Sequence, residues 1–312
     1  MKRIATLSGV WALLLLAPYW LPRVGGYTTL GTQVLVLGLA AMALNYLLGF
    51  TGVLSFGHAA YVGLGAYGAG LTIKYLGFGS LQGIAAGVLL GTVAAVLIGP
   101  FIMRLRGIYF AMCTIAFGQV FYFIAFRWNT VTGGDDGLGG WKRQPLQFAG
   151  YSLDLVQNET AYYYVALACF AVAVSVMGLL LNSPLGRVQL SIRENEQRAR
   201  FLGLPIERHV LLAWVISCLF ASLAGALYSL LNNFADPRVL RWDFSGELVI
   251  MAVLGGMRSF WGPLLGAAIF VTLRDYLSSV TDNWMSFIGL FFVLVVMFFP
   301  RGVLGILKRA RS

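Results

Sequence analysis

Residues that could do chemistry are few in this sequence, and eight of the 34 charged ones lie in a single segment. Residues 183–209, SPLGRVQLSIRENEQRARFLGLPIERH, hold five arginines and three glutamates, whereas only 11% of the 312 residues are charged. We call residues 183–209 the charged segment. Glu194 with Arg198, and Glu196 with Arg200, are spaced i, i+4, which brings opposite charges together on one face of a helix. The pattern predicts a short helix in contact with water.

Both ends of this short helix are marked in the sequence. Ser191 followed by Glu194 fits a capping box, and Gly203 with Pro205 gives a stop signal. The apolar residues form a narrow stripe, made of Ile192, Ala199 and Leu202. A helix surrounded by water would not need such a stripe. We therefore interpret the segment as a rigid lever that receives a push from a soluble partner, the alternative being a solvated loop helix without a role.

Outside the charged segment the reactive residues are isolated. The chain lacks a GxxxxGK[ST] phosphate loop and a catalytic group of histidines, carboxylates or cysteines, so we expect no ATP hydrolysis by this chain, no metal ion and no cofactor. Cys113, Cys169 and Cys218 lie in apolar stretches and are expected to pack. His58, one of two histidines, is either a functional group within a span or a hydrogen-bond partner of a neighbouring helix.

An acidic pair stands in the glycine-rich stretch TVTGGDDGLGG. Asp135 and Asp136 lack the alternating oxygen ligands and the closing glutamate of a calcium loop, so the stretch indicates a tight glycine turn. Together with Gly133 and Gly134, these acids are candidates for a surface on which an external partner docks.

The elements that position these residues are membrane-spanning helices. The chain is 59% hydrophobic and carries 38 glycines, a composition more apolar than a water-soluble domain of this size can bury. A helix needs about 20 predominantly apolar residues to cross the hydrocarbon, and runs of this length favour helices over barrel strands. Eight such stretches are clear: residues 4–19, 32–50, 53–73, 83–103, 108–126, 162–181, 210–231 and 284–299. We predict an all-α, polytopic membrane protein.

Two shorter apolar runs between residues 245 and 277 predict a broken or re-entrant pair of helices. Counted as two crossings they bring the total to ten, so we expect 8–10 transmembrane helices in one domain over residues 1–312. Glu247 is expected to cap the first of these short helices. Arg274 and Asp275, near the end of the second, are expected to reach the membrane interface.

The distribution of basic residues predicts the orientation. With ten crossings and a cytoplasmic N-terminus, 14 of the 22 lysines and arginines face the cytoplasm and 8 face outwards, as the positive-inside rule requires. Both termini and residues 182–208 are then cytoplasmic, and residues 127–161 form a periplasmic loop. The net charge of +10 is thus a topology signal rather than a nucleic-acid signal. Residues 1–22 hold no A-x-A-like cleavage site, so we expect a retained first span rather than a secretory signal.

Glycine has two expected roles in these helices. One is close helix packing, predicted for the stripe of Gly83, Gly87, Gly91, Ala95 and Gly99. The other is helix interruption, predicted for residues 49–70 (GFTGVLSFGHAAYVGLGAYGAG) and 255–268 (GGMRSFWGPLLGAA). Interrupted helices free backbone groups that can face a polar solute. The predicted translocation path accordingly includes Ser55, Gly57, His58, Gly255 and Gly256.

Five stretches together resemble one known family. They are LNYLLGFTGVLSFGHAAYVGLGAYGAG, RGIYFAMCTIAFGQVFYF, TGGDDGL, SPLGRVQLSIRENEQRARFLGL and VLGGMRSFWGPLLGAA. In this order, over roughly residues 30–305, they are similar to the permeases of branched-chain amino acid ABC importers, specifically the LivM-type subunit.

The resemblance implies a fold, partners and a coupling motif. It implies a type II importer fold in the bacterial inner membrane, with a second permease, two cytoplasmic ATP-binding subunits and a periplasmic solute-binding protein. The charged segment is similar to the EAA-type coupling loop, although Gln197 and Arg198 stand where two alanines are usual. The predicted ATPase-coupling residues are Glu194, Glu196, Arg198, Ala199 and Gly203.

The solute and the class of protein have alternatives at this stage. Leucine, isoleucine and valine are implied by the resemblance, while similar permeases carry urea, other small amides or acids. A secondary transporter would also explain glycine-broken helices, but it would usually place paired ionisable residues within the membrane. A membrane-embedded enzyme would need a reactive cluster that the sequence does not offer.

Overall fold

The computed structural model describes residues 2–148, 151–153, 155, 158–298 and 302–304, and within these ranges the chain is almost entirely helical. In chain order the elements are α1 (Lys2–Leu15), α2 (Ala17–Trp20), α3 (Thr28–Thr51), α4 (His58–Leu76), α5 (Ser80–Ile102), α6 (Ile108–Arg127), α7 (Asn129–Thr132), β1 (Leu146–Phe148), β2 (Tyr151–Leu153), α8 (Glu159–Asn182), α9 (Pro184–Glu194), α10 (Glu196–Phe201), α11 (Ile206–Asn232), α12 (Trp242–Gly255), α13 (Gly262–Val280) and α14 (Trp284–Phe298). The predicted all-α architecture is confirmed, apart from the small antiparallel hairpin β1–β2.

Contacts between connections show that the long helices alternate in direction. At one end of the bundle, Ser80 Oγ donates to the carbonyl of Gln144 at 2.7 Å, and Tyr27 donates to Asp275 at 2.7 Å. We call this the long-loop end, because it carries the connection between α6 and α8. At the other end the Arg193 guanidinium bonds the carbonyl of Gly49. We call this the charged-segment end.

Helix length and burial separate the helices into two groups. By length and composition, the five helices α3, α5, α6, α8 and α11 can each cross a membrane. Of these, α3 and α11 are mostly buried and form the centre of the bundle, whereas α5, α6 and α8 leave most of their surface exposed. A helix that is apolar on all sides is stable at the centre of a bundle or against lipid.

Glycine brings the central helices into backbone contact. A Cβ atom added to Gly225 of α11 would lie 1.8 Å from the carbonyl oxygen of Val62 in α4, and one added to Gly65 would lie 2.0 Å from that of Ser222. The stripe on α5 is buried at every position, from Gly83 to Gly99. These contacts confirm the packing role, which in lipid replaces the hydrophobic effect as the cause of helix association.

The predicted interruption near residue 55 is present, but it shortens a predicted span. Residues 53–73 were expected to be one span, whereas α4 begins at His58 and residues 52–57 are not helical. The reason is local: α3 ends where Gly52 adopts a left-handed conformation with φ of 77°, and the chain then needs several residues to turn into α4. Apolar character alone does not distinguish these extended residues from helix.

The connection between α11 and α12, residues 233–241, enters the bundle from the long-loop end. Leu138 and Ala235 pair as a β-bridge at that end, and Leu138 packs beside Gly70 of α4. Further along, Ser245 Oγ accepts a hydrogen bond from the backbone N–H of Ala59 at 2.8 Å. The start of α12 therefore meets the start of α4 inside the bundle. This geometry agrees with the predicted broken pair, in which α12 has only 14 residues.

Glu247 and Arg274 do not have the separate roles expected of them. Glu247 is the sixth residue of α12 rather than its cap, and its carboxylate lies 3.6 Å from Arg274 Nη1 of α13. Asp275 accepts the hydrogen bond from Tyr27. Antiparallel packing of α12 and α13 places the two opposite charges side by side, so pairing replaces capping and exposure at the interface.

Candidate functional site

The charged segment forms two helices instead of the predicted one. α9 ends at Glu194, and the extended Asn195 begins α10 by accepting a hydrogen bond from the backbone N–H of Arg198 at 2.9 Å. The predicted capping box is wrong, because Ser191 lies in the last turn of α9 and its Oγ donates to the carbonyl of Val188. Asparagine is among the most favourable N-cap residues, so Asn195 supports the break.

Four charged side chains join α10 to the bundle. Arg106, in the connection between α5 and α6, lies 3.2 Å from Glu196 and 3.4 Å from Glu207. Arg200 lies 3.3 Å from Glu196 and 2.9 Å from Glu207. We call these four residues the ion network. The predicted Glu196–Arg200 pair is confirmed, whereas the break at Asn195 separates the other predicted pair.

The ion network is polar and open to water. Hydrogen bonds from Arg200 to Glu207 and to Glu196 raise the pKa of the Arg200 guanidinium, so the arginine stays charged at any pH the protein meets. All four side chains are substantially exposed, and exposed ion pairs contribute little to stability. The network therefore fixes the direction of α10 without being a major source of folding energy.

The charged segment is also anchored to the end of α3. The Arg193 guanidinium donates to the carbonyl of Gly49, and the Arg193 side chain lies against Gly52. Ile192 and Ala199 are buried, as the predicted apolar stripe requires, but Leu202 is 72% exposed. The stripe fails at Leu202 because α10 ends at Phe201, so Leu202 lies beyond the helical face.

A cavity of about 640 Å³ separates the charged segment from the interior of the bundle. Its walls come from residues 51–54 and Phe56, from residues 105–108, Phe110 and Ala111, and from residues 192–196 and Val210. The non-helical stretch before α4 and the start of α6 thus face the junction of α9 and α10. A displacement of that junction must change the shape of this cavity.

The tip of the charged segment carries two exposed apolar side chains to which the sequence alone assigned no contact with a partner. Phe201 is 91% exposed and is followed by the exposed Leu202. Gly203 then turns the chain with φ of 78°, as the predicted stop signal requires. Two adjacent exposed apolar side chains beside a set of charges are typical of a surface that a partner covers. The FL dipeptide before the glycine was the available signal.

The residues predicted to line a path fall into two packed groups. In the first, Ser55, Gly57 and His58 are buried. His58 Nε2 lies 2.6 Å from Ser217 Oγ of α11, and this hydroxyl donates to the carbonyl of Ala43. Because the Ser217 hydroxyl donates its proton to the carbonyl of Ala43, its oxygen accepts the hydrogen bond from His58, so His58 carries a proton on Nε2. Of the two roles expected for His58, the hydrogen bond to a neighbouring helix is the observed one.

The second group lies where α12, α13 and the C-terminal part meet. A Cβ atom added to Gly255 would lie 1.7 Å from the carbonyl of Gly262, and Gly256 adopts φ of 110°. Gly302 packs against the backbone of Gly256. Each group is closed by backbone contacts, at Gly57 with Thr114 and at Gly255 with Gly262. Their participation in a path stays a prediction.

The acidic stretch at the long-loop end is a glycine turn, as expected. Gly133, Gly134 and Gly137 all have positive φ, and Asp135 with Asp136 is exposed between them. Gly134 itself is buried, so the acids rather than the glycines present the surface. Within the part of the chain that the structure describes, no group of histidines, cysteines and carboxylates is arranged to hold a metal ion.

Known proteins are similar in sequence to this chain over most of its length. The sequence profile of the branched-chain amino acid transport system / permease component family matches residues 26–298. The high-affinity branched-chain amino acid transport system permease protein LivM of Escherichia coli (strain K12) is 30% identical over 94% of this chain and 73% of its own length. The corresponding LivM of Salmonella typhimurium is 29% identical over the same shares.

A second kind of permease is also similar. The probable branched-chain amino acid transport permease protein LivH of Methanocaldococcus jannaschii is 21% identical over 90% of this chain and 93% of its own length. No solved structure matches the chain. The family match over residues 26–298 spans all the elements from α3 to α14, including the charged segment and both broken helices. The chain is a polytopic membrane protein that belongs to the branched-chain amino acid transport system permease component family.

Proposed function

We propose that this chain is one of two membrane subunits of an ATP-driven importer of branched-chain amino acids, and that the charged segment is where an ATP-hydrolysing partner pushes. The observation that carries the proposal is the tip of this segment, where Phe201 and Leu202 are exposed beside the ion network. A transport subunit without its own phosphate loop needs such a contact to receive energy.

The geometry supports a direct route for the push. Force applied at Phe201 reaches α10, then Arg106 through Glu196, and α3 through the bond between Arg193 and Gly49. Both branches end at the walls of the 640 Å³ cavity, beside the non-helical residues 52–57. Non-helical backbone inside a bundle is where membrane transporters usually change shape.

The orientation follows from the basic residues. The charged-segment end and both termini face the cytoplasm of a bacterial plasma membrane, because 14 of 22 basic residues then lie inside. The long-loop end faces outwards, and Asp135 with Asp136 offers a solute-binding protein a negatively charged docking surface. Gly133 and Gly134 support that surface by shaping the turn.

The partners are a second permease, two ATP-binding subunits and the external solute-binding protein. The relatives LivM and LivH are both described as branched-chain amino acid permeases, which supports pairing of two related membrane subunits and transport of leucine, isoleucine or valine. The path residues Ser55, Gly57, His58, Gly255 and Gly256 are then closed in the present state and open when the partner moves the charged segment.

Co-purification with the ATP-binding subunits tests the proposal. Phe201→Ala removes a side chain that is 91% exposed, so folding should be unaffected while recovery of the ATP-binding subunits falls more than about tenfold. The matched control is Leu81→Ala, because Leu81 is 57% exposed at the start of α5, at the long-loop end and away from the charged segment. Equal recovery with both variants contradicts the docking role of Phe201.

Uptake of leucine into proteoliposomes tests the energy source. The assembled importer should need internal ATP and the solute-binding protein, and a proton gradient should not replace ATP. The pair formed by Glu247 and Arg274 within the bundle is what a proton-driven transporter would use, so uptake driven by the gradient alone would favour that alternative. Uptake of urea but not leucine would change the solute and leave the ATP-driven mechanism intact.

A further inference from the structure

A groove opens on the outside of the bundle at the charged-segment end. It lies between α1, the last turns of α8, the start of α9 and the connection from α12 to α13, and its volume is about 530 Å³. Its apolar wall is made of Trp11, Phe50, Val174, Leu181, Phe260 and Trp261. This groove is separate from the cavity behind the ion network and from the predicted path residues.

Aromatic contacts hold the groove open. Trp11 of α1 packs edge to face with Trp261, at 5.9 Å between ring centroids, and with Phe170 of α8 at 6.3 Å. Phe260 and Trp261 pack edge to face at 5.5 Å. Gly178 lines the floor, where an added Cβ atom would touch only Phe260, at 3.9 Å. Rigid rings on the walls and a glycine on the floor leave room for a flexible chain.

The mouth of the groove is positively charged. Arg187 and Arg258 line it together with Asn182, and both arginines are exposed. Among the described residues, neither arginine lies within ion-pairing distance of a carboxylate. Arg193 is close to Arg258. Burial and the charge of Arg258 lower the pKa of the Arg193 guanidinium, although Glu194 acts in the opposite direction. The mouth thus carries positive charge without a partner.

The groove is long enough for a lipid tail to extend from a headgroup. Val174 on its wall and Asn182 at its mouth are eight residues apart on α8, which corresponds to about 12 Å along the helix axis. The apolar wall lies at the depth of the hydrocarbon, and the arginines lie at the end of the bundle, where lipid phosphates are found. The apolar wall therefore corresponds to the acyl chain of a phospholipid, and the arginines at the mouth correspond to its phosphate.

We propose that this groove binds one anionic phospholipid, with its phosphate between Arg187 and Arg258 and an acyl chain along Trp11, Phe260 and Trp261. A zwitterionic lipid would bring a cationic group towards the arginines, so the charge favours an anionic headgroup. Basic pockets between helices are sites of this kind, and each arginine near an anionic lipid contributes roughly a fivefold preference, or about 25-fold for two.

Native mass spectrometry of the full-length chain in detergent tests the lipid preference. Dioleoyl phosphatidylglycerol should be retained as one molecule per chain, at least about tenfold more tightly than dioleoyl phosphatidylcholine. The double variant Arg187→Gln/Arg258→Gln should lose this preference, and Arg187→Lys/Arg258→Lys should keep most of it. Equal retention of the two lipids by the unaltered chain, or an undiminished preference in the double glutamine variant, would overturn the proposal.

A second pair of variants tests the apolar wall. Gly178→Leu should fill the floor and reduce retention of phosphatidylglycerol more than about fivefold, whereas Gly178→Ala should leave it unchanged, because its single carbon reaches only ordinary contact distance. Thermal unfolding of each variant identifies any that fail to fold. Equal retention by folded Gly178→Leu and Gly178→Ala would show that the chain lies elsewhere.

Two further arms distinguish other occupants. Inorganic phosphate at millimolar concentration should not displace the phospholipid, and displacement would identify a site for soluble phosphate instead. The complex with the second permease should retain the lipid, and its exclusion on assembly would assign the groove to the subunit interface. Either result would overturn the lipid assignment without bearing on ATP-driven transport, which does not depend on this groove.

Discussion

Replacement of Gly225 by alanine tests whether the centre of the bundle depends on backbone contact between α4 and α11. The added Cβ atom would lie 1.8 Å from the carbonyl oxygen of Val62, while an ordinary contact is about 3.4 Å. The helices must therefore separate by about 1.6 Å, the difference between these distances. A backbone carbonyl cannot rotate away as a side chain does, so local adjustment cannot absorb the change.

The magnitude follows from three contributions. Overpacking costs about 1–3 kcal/mol, and separation of the helices weakens the hydrogen bond between His58 and Ser217, which is worth about 1 kcal/mol. The higher helix propensity of alanine offsets about 1 kcal/mol. We expect Gly225→Ala to reduce the free energy of unfolding by about 2 kcal/mol.

Reversible unfolding of the full-length chain in mixed micelles, followed by circular dichroism, measures this change. The matched control is Gly246→Ala in α12, where an added Cβ atom meets nothing within 4 Å, so stability should stay the same or rise. If Gly225→Ala is as stable as Gly246→Ala, the close contact of α4 and α11 is wrong and so is the packing role assigned to glycine in this bundle.

Three further substitutions test individual contacts. Ser217→Ala should lower the free energy of unfolding by about 1 kcal/mol because His58 loses its hydrogen-bond partner, while Ser217→Thr should retain most of the stability. Equal stability of the two variants and the unaltered protein would contradict the hydrogen bond. Arg274→Gln should lower the unfolding temperature more than the double variant Glu247→Gln/Arg274→Gln, since the single change leaves a carboxylate unpaired within the bundle; additive losses would exclude the pair. Asn195→Ala should destabilise α10 by about 1 kcal/mol and speed the exchange of its backbone amide hydrogens, whereas Asn195→Asp should do neither. Unchanged exchange in the alanine variant would rule out the cap.

Hydropathy predicted α3, α5, α6, α8 and α11 because each is long enough to be recognised by composition alone. The predicted stretch 108–126 corresponds to α6, and 162–181 to α8, within three residues at either end. It failed at residues 53–57, which are as apolar as the helix that follows. Their non-helical shape depends on the turn at Gly52 and on packing against Thr114, neither of which a hydropathy average contains.

Local sequence rules left a choice in the charged segment that tertiary contacts decide. Both Ser191 and Asn195 are suitable N-cap residues, and a helix can begin after either. The bond between Arg193 and Gly49 holds the end of α9 against α3, so the second helix begins only at Asn195. Pairing within one helix was predictable, as Glu196 and Arg200 show, but the contribution of Arg106 was not, because it comes from a different connection.

Partners distant in sequence were beyond the reach of pattern analysis. His58 and Ser217 are separated by 159 residues, and Glu247 pairs with Arg274 only because α12 and α13 pack side by side. A sequence pattern can identify an unusual residue in a span, but the choice between function and packing needs the neighbouring helix. The exposure of Phe201 likewise became evident only once the end of α10 was located.

The central claim is that the tip of the charged segment faces the cytoplasm and contacts the ATP-binding subunits. Labelling of a single cysteine introduced by Gln197→Cys, at an exposed position one turn of α10 before Phe201, with Cys113, Cys169 and Cys218 replaced, tests it most directly. We expect no reaction with an impermeant maleimide added to intact cells, and rapid reaction in inside-out vesicles that is suppressed when the ATP-binding subunits are present. Labelling from outside intact cells, or a rate in vesicles that those subunits do not change, would contradict the account.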